Sequence, residues 1–353
     1  MSLKQLTDML SKLVGAPGIS GMEAQVRDII KAELSGHVDE IRVDRIGNLV
    51  SRKGTGKPKV MLTAHMDEVG FMVKRIIKNG FIKFAMIGGF DERILPSQQV
   101  IVYTKSKPIV GVINSKPPHL LKEEERKKVV EHSDMYIDIG AKDVEEIEAL
   151  GVRVGDPVLF DRKLALLGNE NTVAGKALDD RVGCLALIEV MKRFHDGFTL
   201  YGVFTSQEEV GLKGARTSAY EIDPDVGIAL DVTTATDTPD LKTDEADVRI
   251  GAGPVINIVE ASGRGLITSN RVFKWLTKSA KEAKIPYQIE VGEKGMSDAA
   301  TIYISKIGVP SGAVCIPARY IHGPNAIIDL RDIENSVKLV TEALKRIKTL
   351  NLS

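Results

Sequence analysis

The sequence predicts an α/β domain built on a mixed sheet, interrupted by an inserted small all-β domain of barrel-like form. Three observations carry this. The 353 residues exceed one ordinary domain. Short, nearly continuous apolar runs alternate with helical patterns at both ends of the chain, as in sheets buried on both faces. Between them, from about Val69 to Leu164, lie short β-type segments with almost no helix pattern. The expected division is 1–68 plus 165–353 for the α/β domain and 69–164 for the insert.

In order along the chain, "MSLKQLTDMLSKLVGAPG" reads as an amphipathic helix, because polar residues interrupt each apolar run. "GISGMEAQVRDIIKAEL" reads as a second helix, with Ser20 and Glu23 spaced as a capping box. A strand hairpin is expected in "EIRVDRIGNLVSRKG", and a buried strand in "KPKVMLTAHMDEVG". The insert should hold six strands: "GFMVKRII", "FIKFAMI", "QQVIVYT", "PIVGVIN", "DMYIDIG" and "DPVLF". Within it, "LKEEERKKVVEH" mixes both charge signs and reads as a solvated helix face. After the insert, "DDRVGCLALIEVMKRF", "SNRVFKWLTKSAKEAK" and "DLRDIENSVKLVTEALKRIKTL" are helices, and "TLYGVFTS", "VGIALDV" and "GAVCIP" are strands.

Composition narrows function. Lys+Arg and Asp+Glu are equal at 48 each, so no basic excess points to nucleic acid or anionic lipid. No apolar run reaches the length that spans a bilayer. Cys184 and Cys315 sit in apolar settings and read as buried free thiols, which suits a cytoplasmic protein.

Acidic and imidazole side chains gather where predicted strands end. His65 and Asp67 follow "VMLTA", Glu208 and Glu209 follow "LYGVFTSQ", Asp231 ends "VGIAL", and His322 comes shortly after "GAVCIP". The loop "AGKALDD" adds Asp179 and Asp180 at a helix start. Taken singly, Asp179 or Asp180 could cap its helix, His65 could be a core histidine, and Asp231 and His322 could be turn residues. Ligands of open α/β sheets bind beyond the carboxyl ends of strands, so together these residues suit a metal site with nitrogen and oxygen donors. Two imidazoles and three or four carboxylates are too many for one catalytic ion and suit two. Adjacent Glu208 and Glu209 could then divide the work, one binding metal while the other takes a proton.

With "PGISGMEAQVR", "TAHMDEVGFMV", "GKALDDRVGC", "SQEEVGLKGA", "ALDVT", "GMSDAA" and "CIPARYIHGP" in order along its whole length, the sequence resembles the tetrahedral, or TET-type, aminopeptidases, which are related to glutamyl aminopeptidases. The resemblance implies a zinc-exopeptidase-like α/β domain and two divalent ions, Zn or Co, per subunit. Asp179 would bridge them, with His65 and Asp231 completing one site and Glu209 and His322 the other. Glu208 would be the general base and Asp67 the partner that orients His65. The substrates implied are short peptides with a free N-terminus. The insert would serve assembly into dimers, and dimers into a tetrahedral dodecamer.

The sequence departs from the family pattern near the expected substrate pocket: Ala318 and Gly323 stand where relatives often have Thr and Ser, and "GMSDAA" replaces a more usual "GGTDA". Ser297 and Asp298 could line that pocket, or Asp298 could cap the next helix. His119 reads as a loop histidine. Rival readings are a deacylase or carboxypeptidase on the same scaffold, a glucanase-type glycosidase and a non-catalytic metal binder. A free-amine requirement separates the first, chelator sensitivity the second, and an uncoordinated Glu208 argues against the third.

Overall fold

The computed structural model describes residues 3–195, 197–239, 241 and 248–350. The chain begins with helices α1 (Leu3–Gly15) and α2 (Ala24–Leu34), the hairpin β1 (Glu40–Val43) and β2 (Leu49–Lys53), and the buried strand β3 (Lys59–His65). Then come β4 (Gly70–Ile77), β5 (Phe81–Ile87), β6 (Gln99–Tyr103), β7 (Pro108–Asn114), β8 (Tyr136–Asp138), the short helix α3 (Val144–Ala149) and β9 (Pro157–Phe160). The chain continues through β10 (Ala165–Leu166), β11 (Thr172–Gly175), α4 (Leu178–Arg193), β12 (Thr199–Thr205), α5 (Lys213–Ile222) and β13 (Val226–Thr234). It closes with β14 (Val255–Val259), α6 (Asn270–Glu282), β15 (Gln288–Val291), α7 (Ala299–Ile302), β16 (Ser311–Arg319), β17 (Ala326–Asp329) and α8 (Leu330–Lys345).

Strands β4–β9 close into a barrel in the order β4-β5-β8-β7-β6-β9, the inserted all-β unit that the sequence predicts. Phe71 is central to its core, with Phe84 and Phe160 meeting it edge-on at 5.1 and 5.3 Å between ring centroids. Such edge contacts suit the quadrupoles of aromatic rings.

The remaining strands form one mixed sheet in the order β1-β2-β12-β3-β13-β16-β17-β11-β10, with β14 and β15 extending it beside β16. Its centre, β12-β3-β13-β16, is parallel. Six of the seven residues of β3 are buried, which explains its near-continuous apolar run. α4 packs on β3 and β13 and is itself covered by α1 and α8. Buried nearly all round, it lacks the one-sided apolar pattern of a surface helix.

Two local expectations fail. Ser20 and Glu23 do not cap α2: no side chain caps its first turn. Ser20 Oγ instead donates to Asp67 Oδ2 at 2.6 Å, and Glu23 Oε1 accepts from Gly21 N and Ser206 Oγ at 2.6 and 2.7 Å. Tertiary partners thus outcompete the local bonds. The charged stretch 121–132 is not a helix beyond the short 3-10 turn Glu125–Lys127. Val129 in that stretch stays exposed and only Val130 packs on the barrel core, too little apolar contact at helical spacing to stabilise a short helix.

Candidate metal centre

Because β12, β3, β13 and β16 run parallel, their carboxyl ends share one edge of the sheet. His65 is the last residue of β3, Asp231 lies on β13, Glu208 and Glu209 follow β12, and His322 follows β16. Asp179 arrives from the first turn of α4. Its carboxylate stands between the two imidazoles, with Oδ1 3.0 Å from His65 Nε2 and Oδ2 3.2 Å from His322 Nε2. Asp231 Oδ1 and Glu208 Oε2 are each 3.9 Å from His65 Nε2, and Glu209 Oε2 is 3.4 Å from His322 Nε2.

The loops that carry these groups are held by other carboxylates. Asp67, fully buried, accepts from Glu208 N at 3.0 Å and Glu209 N at 3.2 Å as well as from Ser20. Asp180 accepts from His65 N at 3.1 Å and Gly183 N at 2.9 Å. His65 Nδ1 meets the main-chain oxygen of Asp67 at 3.0 Å and its carboxylate at 3.5 Å, so the residue expected to orient this ring stands beside it through backbone and side chain alike. Ala177, Gln207, Tyr320 and His322 have positive φ although none is glycine. Strained backbone of this kind concentrates at functional sites.

Burial and mutual repulsion dominate the electrostatics. Burial, then nearby charges including Asp231 and Glu209, lifts Glu208 far above the usual carboxylate range. Burial, aided by Asp179, pushes Glu209 up to about 7. Burial alone would lower both imidazoles, yet the surrounding carboxylates reverse this and hold His322 at about 9. Burial opposes ionisation of Asp179 too, but its bonds to His322 and His65 keep it below the ordinary aspartate range.

This donor set fits divalent ions. Ligand atoms of His65, Asp179 and Asp231 lie within 4.8 Å of one another, as do those of Asp179, Glu209 and His322. Glu209 Oε1 is buried with no hydrogen-bond partner among the described residues, an orphan that coordination would satisfy. A cation also offsets the negative charge that these carboxylates otherwise impose on one another.

Of the remaining predicted residues, Ser297 lines a cavity of about 600 Å³ that opens onto the centre. Asp298 does not line it and does not cap α7; it is buried, accepts from Thr205 Oγ1 at 2.6 Å, and is pushed up to about 6 by burial. His119 is exposed on a 3-10 turn of the insert.

Residues that sequence reasoning missed include Glu23 and an ionic cluster of Glu68, Lys176 and Arg181. Both oxygens of Glu68 accept from Lys176 Nζ at 2.8 Å, and Oε1 lies 3.3 Å from Arg181 Nη2. The available signal was position: Glu68 follows Asp67, and Lys176 and Arg181 flank the Asp179–Asp180 pair.

The profile of the family described as M42 glutamyl aminopeptidase matches residues 47–339. The chain is 32% identical to a lysyl aminopeptidase of Pyrococcus furiosus over 98% of its own length and 99% of the relative's. The solved aminopeptidase of the archaeon Desulfurococcus kamchatkensis is 41% identical, with a TM-score of 0.92, covering 97% of this chain and 94% of that one. The TET1 peptidase of Pyrococcus horikoshii, described as assembling into a tetrahedron or a large octahedral shell, is 35% identical with a TM-score of 0.85, covering 96% and 98%.

Proposed function

The chain belongs to the M42 glutamyl aminopeptidase family and is a peptidase, and from that premise we propose that it removes N-terminal residues from short peptides at a two-metal centre with Glu208 as general base. The observation that carries this reading is the Asp179 carboxylate, one oxygen toward His65 and the other toward His322. That arrangement supports a carboxylate shared between two ions, Zn or Co. One would be held by His65, Asp179 and Asp231, the other by Asp179, Glu209 and His322. When bound, such ions acidify an attacking water and polarise the scissile carbonyl.

The chain's own part is proton handling and orientation. Glu208 Oε2 stands 3.9 Å from His65 Nε2, beside the residues that would hold the ions, where its carboxylate can accept a proton and return it. It takes the proton of the attacking water and delivers it to the departing amine. Asp67 fixes the backbone of both Glu208 and Glu209, so base and ligand keep their relative position through turnover. The substrate's free α-amino group would dock against an ion or a nearby carboxylate, which would confine cleavage to the N-terminus. Assembly into a homo-oligomer is supported by the likeness to the Pyrococcus horikoshii peptidase; in our reading the barrel takes part and a dodecamer is the end state. A cytoplasmic location is consistent with two buried free thiols; among the described residues no helix is long and apolar enough to cross a membrane.

The test compares free-amine and N-acetylated versions of one peptide panel, after chelation and after restoring Zn or Co. Cleavage of free-amine peptides alone, lost on chelation and regained with metal, is the expected result. Glu208→Gln should keep its metal and lose about 10²–10⁴ in turnover, whereas Asp179→Ala should lose metal. Near-full activity of the Gln variant would remove Glu208 from the mechanism. Hydrolysis of the acetylated set would favour a deacylase.

A further inference from the structure

The face of the sheet that presents Asp231 continues sideways into the cavity. Asp231 on β13 pairs with Cys315 on β16; two residues earlier on β16, Ala313 pairs with Asn257 on β14; and Asn257 pairs with Glu290 on β15. Paired residues share a face and alternate residues of a strand do too, so Asp231, Asn257 and Glu290 project into the same space. Glu260, just past the end of β14, joins them at the cavity wall. It is buried, and its two oxygens accept from Ser297 Oγ at 2.6 Å and Ser297 N at 3.0 Å. Glu290 Oε2 accepts from Thr233 Oγ1 at 2.7 Å.

Two features suggest what this corner receives. Asn257 is 6% exposed and lines the cavity, yet its Oδ1 has no hydrogen-bond partner among the described residues. A buried acceptor left in this state calls for a donor from a ligand. The second feature is the sign of the charge. Glu260 and Glu290 lie close enough to repel each other, and burial with that repulsion raises the Glu260 carboxyl above its usual range. Among the described residues no ion pair joins Glu260 to a basic side chain, and the one lysine of the lining, Lys294, is exposed.

Distance and shape complete the argument. Thr233 lies two residues beyond Asp231 on one strand, roughly 7 Å away, so the Glu290 carboxylate that it holds sits about a lysine side chain's reach from the metal centre. Met296 and Ile321 also line the cavity and supply apolar wall for a methylene stem.

Resting on the aminopeptidase reading, we propose that Asn257, Glu260 and Glu290 form the pocket for the side chain of the substrate's N-terminal residue and select a cationic one, lysine or arginine. An ammonium or guanidinium would supply donors to the Asn257 oxygen and charge to both glutamates. A glutamate side chain would meet two carboxylates, and an aliphatic one would leave the Asn257 oxygen unsatisfied. The family's description and the name of the Pyrococcus furiosus relative point to opposite charges, so the local chemistry decides.

The experiment uses the metal-loaded chain and a matched pair, lysine and norleucine, which share the backbone and methylene stem and differ in the terminal ammonium. Lysyl p-nitroanilide should be cleaved with a kcat/KM at least tenfold above that of the norleucyl compound and far above that of the glutamyl one. Glu290→Gln, on an edge strand that should fold unchanged, should lower the lysyl-to-norleucyl ratio at least tenfold. A ratio at or below one, or a ratio unchanged in both Glu290→Gln and Glu260→Gln, overturns the proposal even if peptides are cleaved. Calorimetric binding of free L-lysine against L-norleucine keeps the two readings apart. If neither anilide is turned over but lysine binds at least tenfold more tightly, the pocket stands and the peptidase mechanism falls. Equal binding in that case overturns the pocket.

Discussion

Glu68→Gln should destabilise this protein far more than an ordinary polar substitution. Glu68 is buried, and so are the two cations it meets, Lys176 and Arg181. Arg181 is also tied by Nη1 to the main-chain oxygens of Leu13 and Ala16 at the end of α1, and Glu68 N donates to Gly18 O at 2.9 Å. The cluster therefore joins three segments: the end of α1, the turn after β3 and the turn before α4. Glutamine preserves shape and removes the only carboxylate among the described residues that pairs with the two cations.

Lys176 could respond by losing its proton, since burial already pulls its ammonium below the ordinary lysine range. Deprotonating an ordinary lysine at pH 7 costs about 1.36 × (10.4 − 7), or roughly 4.6 kcal/mol, which bounds that escape from above. Breaking a buried ion pair by removing one partner costs about 3–5 kcal/mol, in the same range. With an unfolding entropy of about 2.1 cal/mol/K per residue, each kcal/mol shifts a chain of 353 residues by about 1.3 °C, so the midpoint should fall by about 4–7 °C. The assay is thermal and guanidinium unfolding of the metal-loaded protein at fixed metal and protein concentration, so that ligand linkage is equal in both samples. Adding Lys176→Met to Glu68→Gln should recover at least half of the loss, because it removes one orphaned charge. A single variant within about 1 kcal/mol of the parent would refute the reasoning and mean that the cations are solvated in solution.

Other outcomes follow from single contacts. A Cβ on Gly183 would overlap the Asp180 carboxylate, so Gly183→Ala should cost about 1–3 kcal/mol as overpacking does and lower metal content measured by atomic emission; unchanged metal content would separate Asp180 from the site. Asp332 is held at about 6 by burial, only partly countered by bonds from Gly251 N and Gly253 N. Its folded pKa exceeds the unfolded one, so its protonated form favours the fold: the contribution is fullest below about pH 4 and is lost as pH rises through about 6. The stability difference between parent and Asp332→Asn should therefore change across that window, and a flat difference would contradict it. Burial pushes the Cys184 and Cys315 thiols up, so Ellman's reagent should react with neither until the protein unfolds; rapid reaction of the folded protein would contradict their burial.

The sequence made the central strands legible because each is a short apolar run ending in an ionisable side chain, and a parallel sheet brings such ends to one edge. β3 shows this directly: its buried residues finish in His65. Long-range polar pairing was not legible. Glu23 and Ser20 matched a local capping pattern, yet their partners, Ser206 and Asp67, lie 183 and 47 residues away. Residues 121–132 carried helix-like charge spacing but only Val130 packs on the barrel core, and one apolar contact with propensity does not hold a short helix in water. Asn257, Glu260 and Glu290 carried no signal in the sequence, because their meaning depends on β14 and β15 joining the sheet beside β16.

Three acidic pairs recur at the sheet edge: Asp67–Glu68, Asp179–Asp180 and Glu208–Glu209. Two of the pairs, Asp67–Glu68 and Asp179–Asp180, divide between two environments, while Glu208 and Glu209 both face the centre. Asp179, Glu208 and Glu209 face the two imidazoles. Asp67 and Asp180 turn to the backbone of other segments instead: Asp67 grips the amides of Glu208 and Glu209, and Asp180 grips the amide of His65. Glu68 turns furthest inward, to the two buried cations. The loop from β3 thereby fixes the loop from β12, and the start of α4 fixes the end of β3. A centre assembled from separate segments gains its geometry from this reciprocal bracing. Loss of the Asp67 or Asp180 bonds should loosen the ligands before it unfolds the sheet, whose apolar core lies beneath them.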